Sequence, residues 1–291
     1  MTSLPFFRGD LRIAGRLFRN TDRVDVRQPA VIVTGSWLTV KEQMPETYAR
    51  ALAERGYAAF TFDFTGFGES AGEPRQAEIP DRKIADLVAA ADFVATLSIV
   101  EPDTLAHLAI CASAHGLAAL ARIAGATVRQ RRRVVPRHGE RGAVLWRAGR
   151  RRVAACAGER RPRSLYRHRD DRHGAGLQGR RPDAAMFFEL DYYANPARGA
   201  VPAWKNEMAT LSWRYWFMFD GLRAAEHVRT PALFVHSDGC VFPDNVRTIE
   251  ASCAARRNSV WAEGTQTDFY DQPAQVERAV NAADAFLKGI D

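Results

Sequence analysis

The 291-residue sequence contains little cysteine and little lysine, and it has no long apolar run. Its four cysteines form no Cys-x-x-Cys pair, which excludes the common zinc motifs and a disulfide framework. These are Cys111, Cys156, Cys240 and Cys253. No apolar stretch reaches the roughly 18 residues that a bilayer requires, and residues 1–10 lack the apolar core of a signal peptide. We expect a cytoplasmic protein without metal, cofactor or membrane partner.

The scarcity of lysine makes the charge distribution informative. The net charge is +7, but residues 129–181 alone hold 18 Arg, no Lys and four acidic residues, a local charge of +14 that leaves −7 for the rest. Clustered arginines can neutralise nucleic-acid phosphates. A basic arm, however, usually mixes in lysine and lies at a terminus, whereas this stretch interrupts the chain. Nucleic acid is therefore not expected as a partner.

Two other interpretations of the arginine-rich stretch remain: a divergent lid, or translation in a shifted reading frame. We favour the frame shift, over about residues 115–182, because frame-shifted GC-rich DNA encodes arginine-rich strings. One codon choice for residues 145–152, read from the second base, gives Tyr-Gly-Gly-Pro-Asp-Gly-Val, an ordinary globular sequence. If the protein is made as written, we expect local disorder and a weakened sheet centre.

Outside that stretch, strand-like and helix-like segments alternate, which predicts an α/β protein with a mostly parallel sheet and helices on both faces. Strands are predicted at residues 11–18, 30–34, 57–62, 105–111, 231–236 and 259–262. Helices are predicted at residues 45–55, 80–97, 244–255 and 276–287, with a small-residue helix from about Gly116. We expect a single domain, residues 1–291, with its core at about 8–128 and 220–291 and a lid or insert at 129–219.

Ser113 directly follows a predicted buried strand and precedes a predicted helix. This is the position of a nucleophile elbow, in which a tight turn lifts the hydroxyl clear of the sheet and the next amide faces a developing oxyanion. The residues two before and two after should be small; Cys111 is small and His115 is not. The alternative role for Ser113 is a helix N-cap, the commoner fate of a serine in this position.

Four segments together resemble the α/β-hydrolase superfamily, in particular its dienelactone-hydrolase-like bacterial branch. The resemblance covers about residues 8–114 and 183–290 and is carried by residues 33–44 (VTGSWLTVKEQM), 62–70 (FDFTGFGES), 111–114 (CASA) and 268–271 (DFYD). It implies that Ser113 is the nucleophile and that the oxyanion donors are the amide of Ala114 and one from Ser36 or Trp37. It also implies that Asp238 is the triad acid, with Asp244 as the second choice.

The histidine of such a triad is missing. No histidine follows His236, and the family's Thr-His-x-Asp-Leu-Tyr pattern reads Thr-Gln-Thr-Asp-Phe-Tyr here, with Gln266 in the histidine position. Glutamine cannot accept a proton at neutral pH, and an unassisted serine is a poor nucleophile. The remaining histidines offer no clear substitute: His115 would point along the elbow helix, and His236 fits a structural role. His107 and His227 have no motif around them.

Two functions follow as expectations. The first is hydrolysis of an ester or related acyl bond through Ser113; the second is a non-catalytic homologue that binds a small apolar ligand. Both functions require a small-molecule partner, and the sequence is also compatible with a homodimer. An aromatic group falls where a lid would lie, and it fits an apolar substrate pocket or plain packing on the core equally well. Its members are Trp204, Trp213, Tyr215, Trp216, Phe217 and Phe219.

Overall fold

The computed structural model describes residues 1–20, 26–115, 185–186 and 190–289, apart from the side chains of residues 102, 103, 114 and 115. The first described strands are β1 (Thr2–Ser3), β2 (Phe6–Arg8), β3 (Leu11–Ile13), β4 (Gly15–Phe18), β5 (Gln28–Thr34), β6 (Ala58–Phe62) and β7 (Val100–Ala109). Five of these described strands form the larger sheet, in the order β1-β4-β6-β5-β7. Two antiparallel strands, β2 and β3, form a separate ribbon.

The centre of the larger sheet is parallel. Strand β5 pairs in parallel with β6, where Ile32 lies opposite Phe60, and with β7, where Val33 lies opposite Leu108. Strands β5 and β6 are buried on both faces, which matches their continuous apolar sequence. Because these strands run in the same direction, β5 and β7 end at the same edge of the sheet. The loops after Thr34 and Ala109 therefore lie side by side.

The helices begin where the sequence supplies proline. The described helices are α1 (Met44–Glu54), α2 (Pro80–Ala95), α3 (Asp191–Ala194), α4 (Ser212–Met218), α5 (Gly221–Ala224), α6 (Pro243–Ser252), α7 (Asp268–Asp271) and α8 (Pro273–Lys288). Among these, each of the four longest, α1, α2, α6 and α8, has a proline in its first turn, where the missing amide proton costs no hydrogen bond. Short 3₁₀ turns occupy Cys111–His115 and Ala225–His227. None of the described helices is long and apolar enough to span a membrane.

Strands β8 (Ala232–His236) and β9 (Arg257–Trp261) form a parallel pair in the C-terminal part of the chain. The chain between β7 and β8 passes through residues 116–184, which lie outside the described residues. The predicted helix from Gly116, the arginine-rich stretch and the expected disorder all fall there. The described C-terminal part joins the main core through side chains of α7 and α8, among them Phe269, Tyr270 and Val280.

The predicted α/β layout is confirmed, but several strand boundaries differ from the predicted ones, among them those at residues 11–18 and 105–111. The strand predicted at residues 11–18 is divided at Ala14, whose amide donates to the Ser70 hydroxyl at 2.8 Å instead of continuing a ladder. The strand predicted at 105–111 ends at Ala109, because Cys111 adopts a φ of +56° that cannot continue a strand. This second correction changes which residue lies in the turn beside the sheet.

Candidate active site

Cys111 occupies the turn that follows β7. Its φ of +56° lies in the left-handed region, which costs a residue with a side chain on the order of 1 to 3 kcal/mol. A 3₁₀ turn begins at Cys111, and its thiol is free and partly exposed. A strained residue between a strand and a helical turn is the defining feature of a nucleophile elbow. In this chain that conformation belongs to Cys111.

The structure places the Ser113 hydroxyl beneath the turn. Only 5% of Ser113 is exposed, and its Oγ accepts a hydrogen bond from the Ile110 amide at 3.0 Å. The carbonyl oxygens of Thr34 and Ile110 lie 3.0 and 3.1 Å from the same Oγ and share its single proton. The hydroxyl thus ties the end of β7 to the end of β5. The expectation that it stands clear of the sheet was wrong, because the strand ends two residues earlier than predicted.

The loop after β5 runs beside the Cys111 turn, as the oxyanion assignment requires. Ser36 is buried, and Trp37 packs partly buried against the core. None of the hydrogen bonds among described residues uses the amide of Ser36 or Trp37 as donor. Ala114 lies in the 3₁₀ turn after Cys111, and the structure does not test the role predicted for its amide.

Two buried carboxylates fix the shape of this loop. Glu78 accepts a hydrogen bond from the amide of Leu38 at 2.6 Å and pairs with the Lys83 ammonium at 2.6 Å. Leu38 itself has a φ of +61°, so this hydrogen bond holds a strained residue in place. Farther along, Asp63 accepts from the Lys41 amide and from its ammonium, both at 2.8 Å. Charged acceptors make such hydrogen bonds stronger than neutral ones.

Buried tyrosines form one wall of the site. The Tyr270 hydroxyl donates to the Ser36 Oγ at 3.0 Å, and its ring packs edge-on against Tyr192 and Tyr193, with centroids 5.0 and 6.3 Å away. Burial raises the pKa of Tyr270 well above its usual value, and the nearby Cys111 raises that pKa further. Tyr270 therefore keeps its proton at neutral pH.

The predicted triad acid, Asp238, is held at the surface. Its side chain is 70% exposed; it pairs with Arg247 at 2.5 Å and accepts from the Trp261 indole at 3.2 Å. These two hydrogen bonds lower the pKa of Asp238, chiefly through Arg247. The second choice, Asp244, is 94% exposed and pairs with the same arginine at 3.0 Å. Neither carboxylate has a described contact with the residues around Cys111.

Gln266 lies in the loop after β9, where the resemblance placed it. Its side-chain oxygen accepts from the amide of Val241 at 3.2 Å and so joins this loop to the loop after β8. The neighbouring Cys240 accepts a hydrogen bond from Ser237 at 3.3 Å. Burial raises the pKa of the Cys240 thiol, and Cys111 lies close enough to raise it further. Gln266, which occupies the position of the triad histidine, therefore makes a structural contact that joins these two loops.

The described histidines do not complete a triad. His107 lies on β7, its Nε2 is 2.7 Å from the Thr34 hydroxyl, and burial lowers its pKa to about 4, so the ring is neutral at physiological pH. The His236 ring packs on Trp261, 5.4 Å between centroids. His227 falls in a 3₁₀ turn, and the His115 side chain lies outside the described ones. Within the described part of the chain, no cluster of three potential metal ligands occurs either.

Aromatic side chains from α4 adjoin Trp37 in the loop after β5. Trp213 lies 6.1 Å from Trp37, and Phe217 stacks on Trp213 at 5.8 Å. Trp213 is 47% and Phe217 80% exposed, so neither is a core residue. By contrast, Trp204 stacks on the buried Tyr193 at 4.9 Å, in the way that packing on the core would predict. Trp204 therefore packs on the core, whereas the pocket role expected for the exposed rings of Trp213 and Phe217 stays a prediction.

Sequence reasoning missed Cys111 and Tyr270 as site residues. Both lie inside segments that carried the family resemblance, residues 111–114 and 268–271. The elbow predicted at Ser113 uses only the small size of Cys111, which lies two residues before that serine. The available signal was chemical: a thiol at a strand end is a nucleophile in its own right, and no base is needed to make a few per cent of it ionise.

Comparisons with known proteins give sequence relatives for part of the chain. No protein-family model matches it. It is 36% identical over 101 residues to the uncharacterised protein PA2218 of Pseudomonas aeruginosa. The matched segment covers 35% of this chain and 27% of that protein. It is 40% identical over 85 residues to the uncharacterised protein YcjY of Escherichia coli, 29% of this chain and 28% of the relative. The chain thus matches under a third of the length of these two relatives.

Solved structures resemble the chain over its whole length. The crystal structure of PA2218 from Pseudomonas aeruginosa superimposes with a TM-score of 0.72 at 19% identity, covering 100% of this chain and 93% of that one. The α/β hydrolase GrgF from a Penicillium species superimposes with a TM-score of 0.64 at 16% identity, covering 99% and 98%. At such identities the likeness concerns the fold. The chain has the α/β-hydrolase fold.

Proposed function

We propose that this protein is an acyl hydrolase whose nucleophile is the Cys111 thiol. One observation carries the proposal: the strained turn at the end of β7 centres on Cys111, which is partly exposed, while the Ser113 hydroxyl is engaged by backbone groups. This replaces Ser113, the nucleophile that the resemblance implied. The bond attacked remains an ester or related acyl bond.

A cysteine nucleophile also fits the missing histidine. A serine hydroxyl needs an adjacent base to become nucleophilic, and neither Gln266 nor the exposed Asp238 can act as one beside Ser113. A thiol with a pKa of roughly 8.5 is a few per cent ionised at neutral pH without any base. The same active site is therefore poor for serine chemistry and adequate for cysteine chemistry.

The proposed reaction proceeds in two steps. The Cys111 thiolate attacks the acyl carbonyl carbon, and the carbonyl electron pair moves to oxygen; when it returns, the alkoxide or thiolate leaving group departs with the bonding pair and takes up a proton. Water then attacks the carbonyl carbon of the resulting thioester, and the bond between this carbon and the sulfur breaks. The oxygen of water stays on the acyl group, which leaves as a carboxylic acid, and one proton of water regenerates the Cys111 thiol. The amide of Ala112, the residue after the nucleophile, and those of Ser36 and Trp37 are the proposed oxyanion donors.

The proposed substrate has an apolar acyl or alcohol group and a good leaving group. Without a histidine to protonate it, the leaving group must depart unaided, which favours thioesters, aryl esters and enol lactones over alkyl esters. Trp37, Trp213 and Phe217 present aromatic surface beside the oxyanion loop for the apolar part. We expect Trp213→Ala to raise KM for aryl esters more than it lowers kcat.

The test is stopped-flow release of p-nitrophenol from p-nitrophenyl acetate by the full chain. We expect an initial burst of about one equivalent followed by slow turnover, since the second step has no histidine base. Cys111→Ser is the matched control: it keeps the shape of the turn and should lose the burst. Ser113→Ala should lose some stability and keep the burst. A burst that survives Cys111→Ser and disappears in Ser113→Ala would refute the assignment.

A second candidate is a non-catalytic homologue that binds a small apolar ligand. It is favoured by the structural contacts of Gln266 and by the surface position of Asp238. The same measurement separates the two: this candidate predicts no burst with any of the three proteins. Saturable quenching of tryptophan fluorescence by an aryl ester, lost in Trp213→Ala, would then support ligand binding.

We also propose that residues 115–182 are translated out of frame. The proposal is supported by the arginine content of this stretch and by relatives that match only 85 to 105 residues of the chain. Apart from the backbone of His115, those residues lie outside the described ones, between the Cys111–His115 turn and β8. The nucleotide sequence of codons 110 to 190, compared with genes of the PA2218 type, should show two compensating insertions or deletions. A reading frame without them would refute the frame shift.

A further inference from the structure

We propose that Glu78 is a positioning residue that holds two parts of the proposed site at a fixed spacing, the loop after β5 and helix α4. Through this spacing it sets a preference for substrates with a long apolar acyl group. The inference rests on the proposed function, because it names the residues that select the substrate class. Glu78 lies outside the four segments that carried the family resemblance. It touches neither the nucleophile nor the acyl group and acts through its two neighbours.

The carboxylate of Glu78 holds the loop after β5. Glu78 lies between β6 and α2, is fully buried, and accepts a hydrogen bond from the Leu38 amide at 2.6 Å. The Lys83 ammonium lies 2.7 and 2.6 Å from the two carboxylate oxygens and keeps the carboxylate from turning away from the loop. Leu38 directly follows Trp37, whose amide is a proposed oxyanion donor. The position of that donor therefore depends on Glu78.

The backbone amide of the same residue holds α4. It donates to the Ser212 Oγ at 3.0 Å, and Ser212 is the fully buried first residue of that helix. A second hydrogen bond joins the same two segments, from the Ala209 amide to the Gln76 carbonyl at 2.8 Å. A helix of 7 residues has little stability of its own, so its position depends on contacts of this kind.

These contacts close a ring at the edge of the site. Trp37 is next to Leu38, Trp213 is next to Ser212, and the two indole rings face each other with centroids 6.1 Å apart. Both tryptophans are therefore one residue away from a group that is hydrogen-bonded to Glu78. A substrate whose carbonyl oxygen meets the Trp37 amide has its acyl chain beside Trp213 only while this spacing is kept. Apolar contact assists a reaction when it holds the reacting atoms in place.

Two substitutions separate the two contacts of Glu78. Ser212→Ala removes the acceptor of the Glu78 amide and leaves the tryptophans in the sequence. We expect p-nitrophenyl hexanoate to acylate the full chain about tenfold faster than p-nitrophenyl acetate, because the longer chain leaves water against aromatic surface. In Ser212→Ala this preference should fall to about threefold or less, since α4 no longer keeps Trp213 in place. Glu78→Gln weakens the hydrogen bond to Leu38 and keeps the amide, so it should slow both esters alike, by about fivefold.

The experiment measures stopped-flow bursts of p-nitrophenol with both esters over a range of concentrations. The burst amplitude counts the folded molecules, so a variant that is merely less stable loses amplitude and keeps the ratio of the two rate constants. Ser70→Ala is the matched control, because Ser70 is also a buried serine whose hydroxyl accepts a backbone amide, that of Ala14 at 2.8 Å. None of its described hydrogen bonds goes to Glu78 or to α4. This control should keep the preference of the full chain.

The outcomes distinguish the inference from the function on which it rests. A preference that is lost in Ser212→Ala and kept in Ser70→Ala supports the inference. Bursts with the same preference in the full chain and in Ser212→Ala, or with the preference lost in Ser70→Ala as well, overturn it while the cysteine nucleophile stands. Rates in Glu78→Gln equal to those of the full chain overturn the role of the carboxylate. No burst with either ester in the folded full chain overturns both the inference and the proposed function.

A second variant covers the case in which circular dichroism shows that Ser212→Ala does not fold. Ser212→Cys keeps a side chain of similar size whose sulfur is only a weak acceptor. A reduced preference for the hexanoate in that variant supports the inference, and the preference of the full chain overturns it.

Discussion

Replacing Glu78 by glutamine tests how the loop after β5, which contains Leu38, is held. Glu78 and Lys83 are a buried ion pair, with side chains 0% and 5% exposed and oxygen and nitrogen 2.6 Å apart. The substitution keeps the side-chain shape and an oxygen that can accept from the Leu38 amide. It leaves the Lys83 ammonium buried without its counter-charge, beneath a loop that contains the strained Leu38.

The magnitude follows from burial. Breaking a buried ion pair by removing one partner costs about 3 to 5 kcal/mol, because the remaining charge has lost its water and its partner. Lys83 also lies over the rings of Phe64 and Phe67, at 4.8 and 5.0 Å, and these contacts offset part of the loss. We therefore expect Glu78→Gln to lower the free energy of unfolding by about 3 kcal/mol.

The assay is urea denaturation followed by circular dichroism, with Lys83→Met and the double variant completing a thermodynamic cycle. The double variant removes both charges. Its loss in free energy of unfolding should be smaller, by at least about 2 kcal/mol, than the sum of the losses in the two single variants. A loss below about 1 kcal/mol in Glu78→Gln would refute the reasoning. So would single losses that simply add in the double variant.

Two further predictions concern backbone strain and acid stability. Gly68→Ala should destabilise the protein more than Gly9→Ala, because both residues have positive φ but only at Gly68 would the new methyl collide with the Asp63 carboxylate. Equal losses in urea denaturation would contradict this. In the folded protein the pKa of His107 is lowered to about 4 from 6.5. As the pH falls, the unfolded chain therefore binds a proton at this residue before the folded protein does. The free energy of unfolding should fall by about 2 kcal/mol from pH 7 to pH 4.5. In His107→Gln that part of the loss should vanish, and an unchanged pH dependence would show that His107 is not its source.

The sequence predicted the scaffold well because periodicity and turn residues act locally. The alternation of strands and helices, the buried runs of β5 and β6, and the amphipathic α8 all follow from patterns within short windows. The loop after β5 lies beside the turn after β7, since these paired strands run in parallel and end at the same edge of the sheet. Its anchoring by Asp63 and Glu78 could not be predicted, since these carboxylates come from other parts of the chain.

The site could be predicted only in outline, because its chemistry depends on a shift of two residues. A strand ending at Cys111 would present Ser113, whereas the actual end at Ala109 presents Cys111 and buries the serine hydroxyl. Strand ends are poorly determined by composition, since the last ladder bonds compete with turn conformations. Likewise, the surface pairing of Asp238 with Arg247 depends on how α6 packs beside β8.

Mass spectrometry of the acylated enzyme tests the central claim most directly. The full chain is mixed with p-nitrophenyl acetate, quenched in acid during the burst, and digested so that the acetylated residue can be identified by fragmentation. The proposed function predicts one acetyl group on Cys111, retained in Ser113→Ala and lost in Cys111→Ser. An acetyl group on Ser113, or acetylation of the same peptide in Cys111→Ser, would contradict it.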